Sequence, residues 1–361
     1  MNYLHALPVH GDSFLLQRTL KNSDLVNILV DGGGSQKIIQ ALNQLKVKKV
    51  DIAVCTHSDH DHINGLSWLV ESKSISLTEL WVPGEWFDIT TQLEKNPKDF
   101  YRNLIDEILK DEGIDVEVAY PIISTIDELV ATSSVDGESL STIIYEKIVN
   151  LALIIKKTSK ALIKKITDAL KFYCMTIDRI RSLVTKALKA NVRIRWFQFD
   201  ENKRSGGEDY LKPVNCVEVA KVSASSTGSF NLLTIQNKCA LVFHSPFNSG
   251  KDIIFSSDSN FDFDFNSYNL VSKKLAFTAP HHGSKNNSNA YYCLKNISNI
   301  DTVCLKCRTS SVSIGTEFLN VANKHCNCCN RGAKNYQRVT FDISKWTFLN
   351  KPRACICVSG K

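Results

Sequence analysis

The chain has 361 residues, a formal net charge of +7, 43% hydrophobic residues and 22% charged residues. That length can bury one large core, or one core with a sizeable insertion, and the composition is ordinary for a soluble globular protein. The start, Met1 to Pro8, lacks the basic beginning and unbroken apolar core of a signal peptide, and the best apolar run, Val149 to Ile155, stops at Lys156 and Lys157, far short of a membrane span. The expectation is a cytoplasmic protein without a membrane partner. Twelve cysteines do not fall into a small disulfide framework. Cys55, Cys174 and Cys239 lie in apolar patterns and read as reduced core residues.

Taken in order, residues 3 to 9 and 13 to 18 read as strands around a His10-Gly11-Asp12 turn. Leu25 to Val30 is another strand, ending in Asp31-Gly32-Gly33-Gly34, where glycines permit a sharp backbone turn. Gln36 to Leu45 reads as a helix, and Val50 to Cys55 is an almost wholly apolar run, typical of a buried strand. A helix start is expected near Leu66 to Val70, then a strand from Ser74 to Val82 ending at Pro83-Gly84. This alternation suits the first half of an αββα sandwich.

Between the buried strand and the helix lies Thr56-His57-Ser58-Asp59-His60-Asp61-His62-Ile63-Asn64-Gly65. Two imidazoles and two carboxylates at H-x-D-x-D-H spacing make a poor core and would repel one another as a bare surface cluster. A divalent cation resolves both problems, because neutral imidazole and carboxylate oxygen suit zinc, manganese or iron.

The middle of the chain has a different character. Thr90 to about Lys110 is helical in pattern, interrupted by Pro121. From Ile143 to Lys189 the apolar positions Ile155, Leu162, Ile166, Leu170, Tyr173, Ile177, Ile180, Val184 and Leu188 step by three, four or seven residues, the stripe of one long amphipathic helix or a broken pair. Such a stripe needs a partner, either the other middle helices or a second copy in a homodimer. Between Lys156 and Arg195 twelve Lys or Arg stand against only Asp168 and Asp178. A run of this kind is either a solvated face or an arm that draws in a polyanion.

Strand patterns resume at Val192 to Phe199, Val217 to Val222, Asn231 to Gln236 and Ala240 to His244. Ile253 to Phe255 leads to Asp258, and Leu275 to Thr278 leads to His281-His282, so both halves deposit polar residues at strand ends. His244, in a strand pattern, is not assigned as a ligand. The expected organisation is 1–85 for the first half of a sandwich, 86–190 for a helical insertion, and 191–361 for the second half with a cysteine-rich end.

Four stretches, in this order along the chain, resemble the metallo-β-lactamase fold in its ComEC-like form. They are Val9 to Leu16 with Ile28 to Gly33, the H-x-D-x-D-H motif, Ile253 to Asp258, and Ala279-Pro280-His281-His282-Gly283-Ser284. The resemblance implies an αββα metallohydrolase with His57 and Asp59 on one metal, Asp61 and His62 on a second, Asp258 bridging, and His282 completing the second site. His281 then sits behind the metals or donates to the substrate's developing charge, and Asp61 is paired with it in a catalytic role. His60 has no assigned role, and Ser284 and Lys285 are candidate substrate contacts. Asp59 stands where the better-known form has a histidine, so the first site is rich in oxygen and tilts towards manganese or magnesium, while the second suits zinc.

These readings lead to two divalent ions and to hydrolysis of a phosphodiester, with DNA or RNA as partner. The alternatives are a small ester, lactone, thioester or cyclic nucleotide, and a metal-binding assembly partner in a multi-protein bacterial system. Near the C-terminus, Cys304-Leu305-Lys306-Cys307 has C-x-x-C spacing, and His325-Cys326-Asn327-Cys328-Cys329, Cys355 and Cys357 follow. A structural zinc on Cys304, Cys307 and two later cysteines competes with a plain strand over Asp301 to Lys306, which would turn Cys304 and Cys307 to opposite faces.

Overall fold

A computed structural model describes residues 2–96, 99, 100, 103, 160–219, 239–268, 270, 273–295, 301–307, 313–329, 337–349, 352 and 355–357. Two sheets dominate it. The larger has nine strands in the order β15 (Thr347–Phe348), β14 (Val339–Asp342), β1 (Asn2–Ala6), β2 (Phe14–Thr19), β3 (Leu25–Val30), β4 (Lys49–Val54), β5 (Ser76–Pro83), β6 (Arg193–Phe199) and β8 (Cys216–Val219). The smaller has six, in the order β13 (Lys324–Cys326), β12 (Asp301–Lys306), β11 (Lys274–Thr278), β10 (Lys251–Phe255), β9 (Phe243–Phe247) and β7 (Lys212–Pro213). Among the described residues the α-helices are α1 (Lys37–Gln44), α2 (His60–Val70), α3 (Glu85–Lys95), α4 (Lys160–Lys189), α5 (Ser288–Lys295) and the single turn α6 (Thr316–Leu319).

Period-two patterning builds the layers. Leu4, Phe14, Ile28, Ile52 and Val54 of the large sheet share one buried cluster with Phe243, Ile253, Phe255, Ala276, Val303 and Leu305 of the small sheet. Intervening residues of the small sheet, Ile254, Leu275, Phe277 and Cys304, turn outward into a second cluster with Ala290, Tyr291 and Leu294 of α5 and Phe318 of α6. β10, β11 and β12 are parallel neighbours covered on both faces, which is why they read as continuous apolar runs rather than alternating ones. β3, β4, β5 and β6 are also parallel neighbours, and the crossovers between the first three are α1 and α2. The result is an α/β sandwich in the layer order αββα.

The chain divides into two compact units. One comprises Met1–Gly84, Leu183–Lys221 and Gln236–Lys361 and holds both sheets; the other comprises Glu85–Ser182 and Val222–Ile235. Among the α4 residues whose side chains are described, Cys174, Thr176, Ile177, Ile180, Leu183, Val184 and Ala187 are buried, while Leu188 is 62% exposed. The expected stripe therefore continues through Ala187 and not Leu188. The expected helix start at Leu66 also needs correction, since α2 begins at His60. The strand expected over Ala240 to His244 runs later, as β9. Lys110, Pro121, the strand over 231–236 and the part of the long helix before Lys160 lie outside the described residues. No helix among the described residues is long and apolar enough to cross a membrane.

One polar chain crosses the large sheet. Arg338 Nε donates to Thr340 Oγ1 at 3.1 Å, and Thr340 Oγ1 lies 2.9 Å from His5 Nδ1. His5 Nε2 lies 3.1 Å from Gln17 Oε1, Gln17 Nε2 donates to Asn27 Oδ1 at 2.9 Å, and Asn27 Nδ2 donates to the Lys49 carbonyl at 2.9 Å. Since a carbonyl oxygen only accepts, His5 must carry its proton on Nε2 and accept from Thr340 on Nδ1. Every donor then points the same way across five strands. Burial, with Arg338 nearby, pushes the His5 pKa down to about 3, although the bond to Gln17 works the other way.

A depressed folded-state pKa gives His5 a stability contribution present above its unfolded value near 6.5 and lost as pH falls towards 3. The expected loss between pH 6.5 and 5 is about 2 kcal/mol from this residue. Urea unfolding of wild type and His5→Gln at pH 7 and pH 5 should show a shallower pH dependence in the variant. Identical pH dependence would remove His5 from the account.

Candidate metal centre

The site lies at the ends of β1, β3, β4, β10 and β11, and local backbone chemistry sets each donor there. After β4, Thr56, His57 and Ser58 are buried, and α2 starts so early that Asp61 and His62 occupy its first turn. Asp59 is the N-cap residue of α2 in extended conformation, yet its side chain makes no capping bond. Its carboxylate is turned instead to His57, with Oδ2 3.7 Å from Nε2.

Two glycines allow the close approach of neighbouring segments. A Cβ on Gly65 would lie 1.8 Å from the Gly32 carbonyl oxygen, so the β3 end and α2 cross backbone to backbone. Gly11 has φ of +83°, and a Cβ there would lie 2.0 Å from the Asp61 carbonyl oxygen. That contact brings Asp12, 1% exposed, in beside α2.

Left-handed backbone collects at this edge in residues that rarely adopt it: Asp31 (φ 58°), Ser257 (φ 50°), His281 (φ 43°) and His282 (φ 53°). Each costs about 1–3 kcal/mol unless surroundings enforce it, and such residues gather at functional sites. His60, the unassigned histidine, is exposed.

The imidazoles are fixed from behind. Thr56 gives its hydroxyl proton to Asp31, whose oxygens lie 2.8 and 3.0 Å away, and its backbone N–H donates to the same carboxylate at 2.9 Å. With that proton spent, the Thr56 oxygen accepts from Ser257 Oγ at 2.6 Å and from His57 Nδ1 at 3.1 Å. His62 Nδ1 donates to Asp31 Oδ2 at 2.8 Å. Both rings therefore hold hydrogen on Nδ1 and turn Nε2 to the centre. His281 Nδ1 donates to Asn287 Oδ1 at 3.1 Å, and Asn287 Nδ2 donates to the Asp258 carbonyl at 2.9 Å.

Around the centre, donor atoms crowd together at 2.9–3.7 Å. Asp258 Oδ2 is 3.6 Å from His57 Nε2 and 3.4 Å from His281 Nε2; Asp258 Oδ1 is 3.4 Å from His62 Nε2. His282 lies between two carboxylates, with Nδ1 2.9 Å from Asp12 Oδ1 and Nε2 3.2 Å from Asp61 Oδ2. Both Asp12 carboxylate oxygens, His57 Nε2, His62 Nε2, Asp258 Oδ1 and His282 Nδ1 are buried with no hydrogen-bond partner among the described residues. Orphaned buried donors and acceptors are costly, and their separations suit a shared divalent ion, whose ligands at about 2.0–2.2 Å stand about 3.0–3.5 Å from each other.

Two groups can each hold an ion: His57, Asp59 and Asp258, and Asp12, His62, Asp258 and His282. The residues fit metal. Asp258 belongs to both groups, Asp61 flanks the second through His282, and Asp12, part of the expected His10-Gly11-Asp12 turn, takes a place in it.

Charge in the cluster follows from this crowding. Burial and neighbouring His62 oppose a proton on His57, but Asp258 and Asp59 outweigh them and hold its pKa up at about 9. His282 is raised to about 10 against its burial by Asp12 and Asp61. Asp258, despite complete burial, is held well below the usual carboxylate range by His62 and His57.

The metallo-beta-lactamase superfamily model matches residues 8–121. The fold is the αββα sandwich of that superfamily, and the match suggests a metal-dependent hydrolase. It spans Asp12 and the whole H-x-D-x-D-H motif; Asp258, His281 and His282 lie beyond it and join the centre by geometry alone. No curated protein matches the chain.

The remaining candidates, Ser284 and Lys285, are in neither ligand group. Ser284 is buried and its Oγ accepts from the Asn286 N–H at 3.2 Å, closing a turn, while Lys285 is exposed. His244 is held by Asp252 at 3.1 Å and by the Tyr268 hydroxyl at 2.6 Å, a structural role. Asp31, Thr56, Ser257 and Asn287 went unassigned in the sequence. For the first three the available signal was a polar residue just past a strand end, directly before a glycine run or a ligand.

Replacing Asp31 by Asn leaves one oxygen to serve Thr56 and His62 and removes the charge behind the His62 ring. Asp31→Asn is expected to weaken metal binding about 10–100-fold, as read by competition titration with a chromophoric chelator. Unchanged affinity in a folded variant would deny Asp31 this orienting role.

Proposed function

We propose that this chain is a metal-dependent hydrolase of phosphodiesters, with DNA or RNA as the first substrate class to consider. The observation that carries the reading is Asp258, which has Oδ2 3.6 Å from His57 and Oδ1 3.4 Å from His62, so that two candidate ligand groups share one carboxylate. The ComEC-like wording of the motifs, H-x-D-x-D-H with H-H-G-S, supports the same direction. Divalent ions held there supply Lewis acidity that eases deprotonation of a water and draws charge from a phosphoryl oxygen. Asp12, Asp59, Asp61 and Asp258 give the centre an oxygen-rich donor set, which accommodates manganese or magnesium as well as zinc.

Net positive charge of +7 favours an anionic substrate. The basic run supplies less than its count implies, because Lys186 pairs with Glu71 at 2.9 Å and Arg193 with Glu79 at 3.0 Å. Arg195 is only 8% exposed and is held by Glu79, Glu208 and Glu218. Attraction of a polyanion then falls to the earlier part of the run.

His281 is the residue suited to proton transfer. Asn287 fixes its Nδ1–H, and Nε2 looks into the centre beside Asp258 from a ring that is 22% exposed. A proton held at Nε2 can pass to a departing oxygen; in the neutral ring the same nitrogen can take one up.

Incubating the purified protein with single- and double-stranded DNA and RNA, with Mn²⁺, Zn²⁺ or Mg²⁺, tests the substrate. Metal-dependent cleavage that Asp258→Ala reduces to background is expected. If all four polymers survive while two ions per chain are bound, the phosphodiester reading is lost, and small esters, lactones or cyclic nucleotides come next.

His281→Gln is expected to lower kcat about 10²–10⁴-fold, the usual share of a general acid or base, with bound metal unchanged. Loss of one equivalent of metal in this variant would instead make His281 a ligand.

A further inference from the structure

Far along the chain from the His and Asp ligands of the first half, five cysteines converge at the end of β13. Cys326 closes that strand, Cys328 and Cys329 sit on the following turn, and Cys355 and Cys357 come from the C-terminal segment, where the Cys355 N–H donates to the Lys324 carbonyl at 3.1 Å. Cys304 and Cys307, the pair expected to lead a zinc site, are absent from this group. They point to opposite sides of the small sheet: Cys304 is in the outer cluster with α5, and Cys307 is in the core between the sheets, its thiol 3.4 Å from the Ser13 carbonyl.

The sulfurs of Cys326, Cys328, Cys329 and Cys357 all lie within 4.8 Å of one another. Measured pairs are 3.1 Å for Cys326–Cys328, 3.8 Å for Cys326–Cys357, 3.5 Å for Cys328–Cys357 and 3.7 Å for Cys329–Cys357. A tetrahedron of sulfurs about 2.3 Å from zinc has edges of about 3.8 Å, so the thiols stand close to the separations such an ion imposes. All twelve cysteines of the chain are free thiols.

Two further groups respond to charge at this spot. Lys306 is only 2% exposed, and its Nζ lies 3.6 Å from Cys328 Sγ and 4.0 Å from Cys357 Sγ, its sole partners among the described residues. A buried ammonium without a carboxylate calls for another anion, which thiolates provide. The Ile356 N–H points at Cys329 Sγ at 3.4 Å, the kind of outer hydrogen bond that steadies a metal thiolate.

We propose that Cys326, Cys328, Cys329 and Cys357 hold one structural zinc ion, separate from the His and Asp centre. Binding exchanges four thiol protons for the ion and leaves a doubly negative group, partly offset by Lys306. Tetrahedral sulfur suits zinc, and all four positions are filled by protein, so the site is closed to substrate. The ion would clamp the C-terminal segment onto β13. Between two of its ligands, Asn327 donates to the Leu7 carbonyl at 2.5 Å, so the clamp also braces the loop that runs on to Asp12. Cys355, with Sγ 3.2 Å from Cys326 Sγ, is a neighbouring thiol outside the four.

The test begins with full-length protein carrying Asp61→Ala and Asp258→Ala together, which disables the other centre, purified under reductant and dialysed. One zinc per chain by elemental analysis is expected, and replacement by Co²⁺ should give a sulfur-to-cobalt charge-transfer band. Adding Cys328→Ser and Cys357→Ser should abolish both ion and band and lower Tm, whereas adding Cys355→Ser should retain them. Absence of zinc and of the cobalt band in the first protein overturns the proposal whether or not the cysteine variant folds. Retention of both after Cys328→Ser and Cys357→Ser, or loss of both with Cys355→Ser alone, overturns the ligand assignment. None of these readouts depends on hydrolytic activity.

Discussion

The sandwich is built around a repulsion it must neutralise. Asp12, Asp59, Asp61 and Asp258 converge with His57, His62 and His282 in a space where several of their atoms find no hydrogen-bond partner. Buried carboxylates at such separations persist only beside positive charge. Protons on the imidazoles answer it, and the neighbouring carboxylates hold the His57 and His282 pKa values up at about 9 and 10 against the pull of burial. Divalent ions and protons thus compete for one set of lone pairs, and metal uptake near neutral pH must release protons. Strained φ angles at Asp31, Ser257, His281 and His282 are tolerated because they aim donors at the place where charge is neutralised.

The sequence made the sandwich and much of its centre legible, for reasons particular residues show. Runs such as Val50 to Cys55 and Ile253 to Phe255 read as buried strands because parallel strands covered on both faces lose their alternation. Their ends mark the site, so Asp258 and the H-x-D-x-D-H stretch stand out. What stayed hidden depends on tertiary contact. Asp31 looks like a turn residue until its carboxylate is seen under Thr56 and His62, and Asn287 has no pattern at all. Asp12 needed the close approach at Gly11 to be placed.

Errors in the pattern reading share a cause. α2 begins at His60 because helical geometry accepts polar ligands in a first turn, where periodicity counts only apolar residues. Counting charges overstated the basic run because Arg195 is buried under three glutamates and over the Trp81 ring. C-x-x-C spacing pointed to Cys304 and Cys307, but a strand sends them apart, and the sulfurs that meet come from a turn and a distant segment.

Asp258 and His282 arrive from the second half of the chain, whereas Asp12, His57 and His62 come from the first. A nascent chain that has emerged as far as β5 therefore displays the recognisable motif without the carboxylate that joins its two ligand groups. A product of translation that stops before Asp258 lacks the carboxylate oxygens that both ligand groups share. That ordering follows from placing the shared residue just beyond the end of β10.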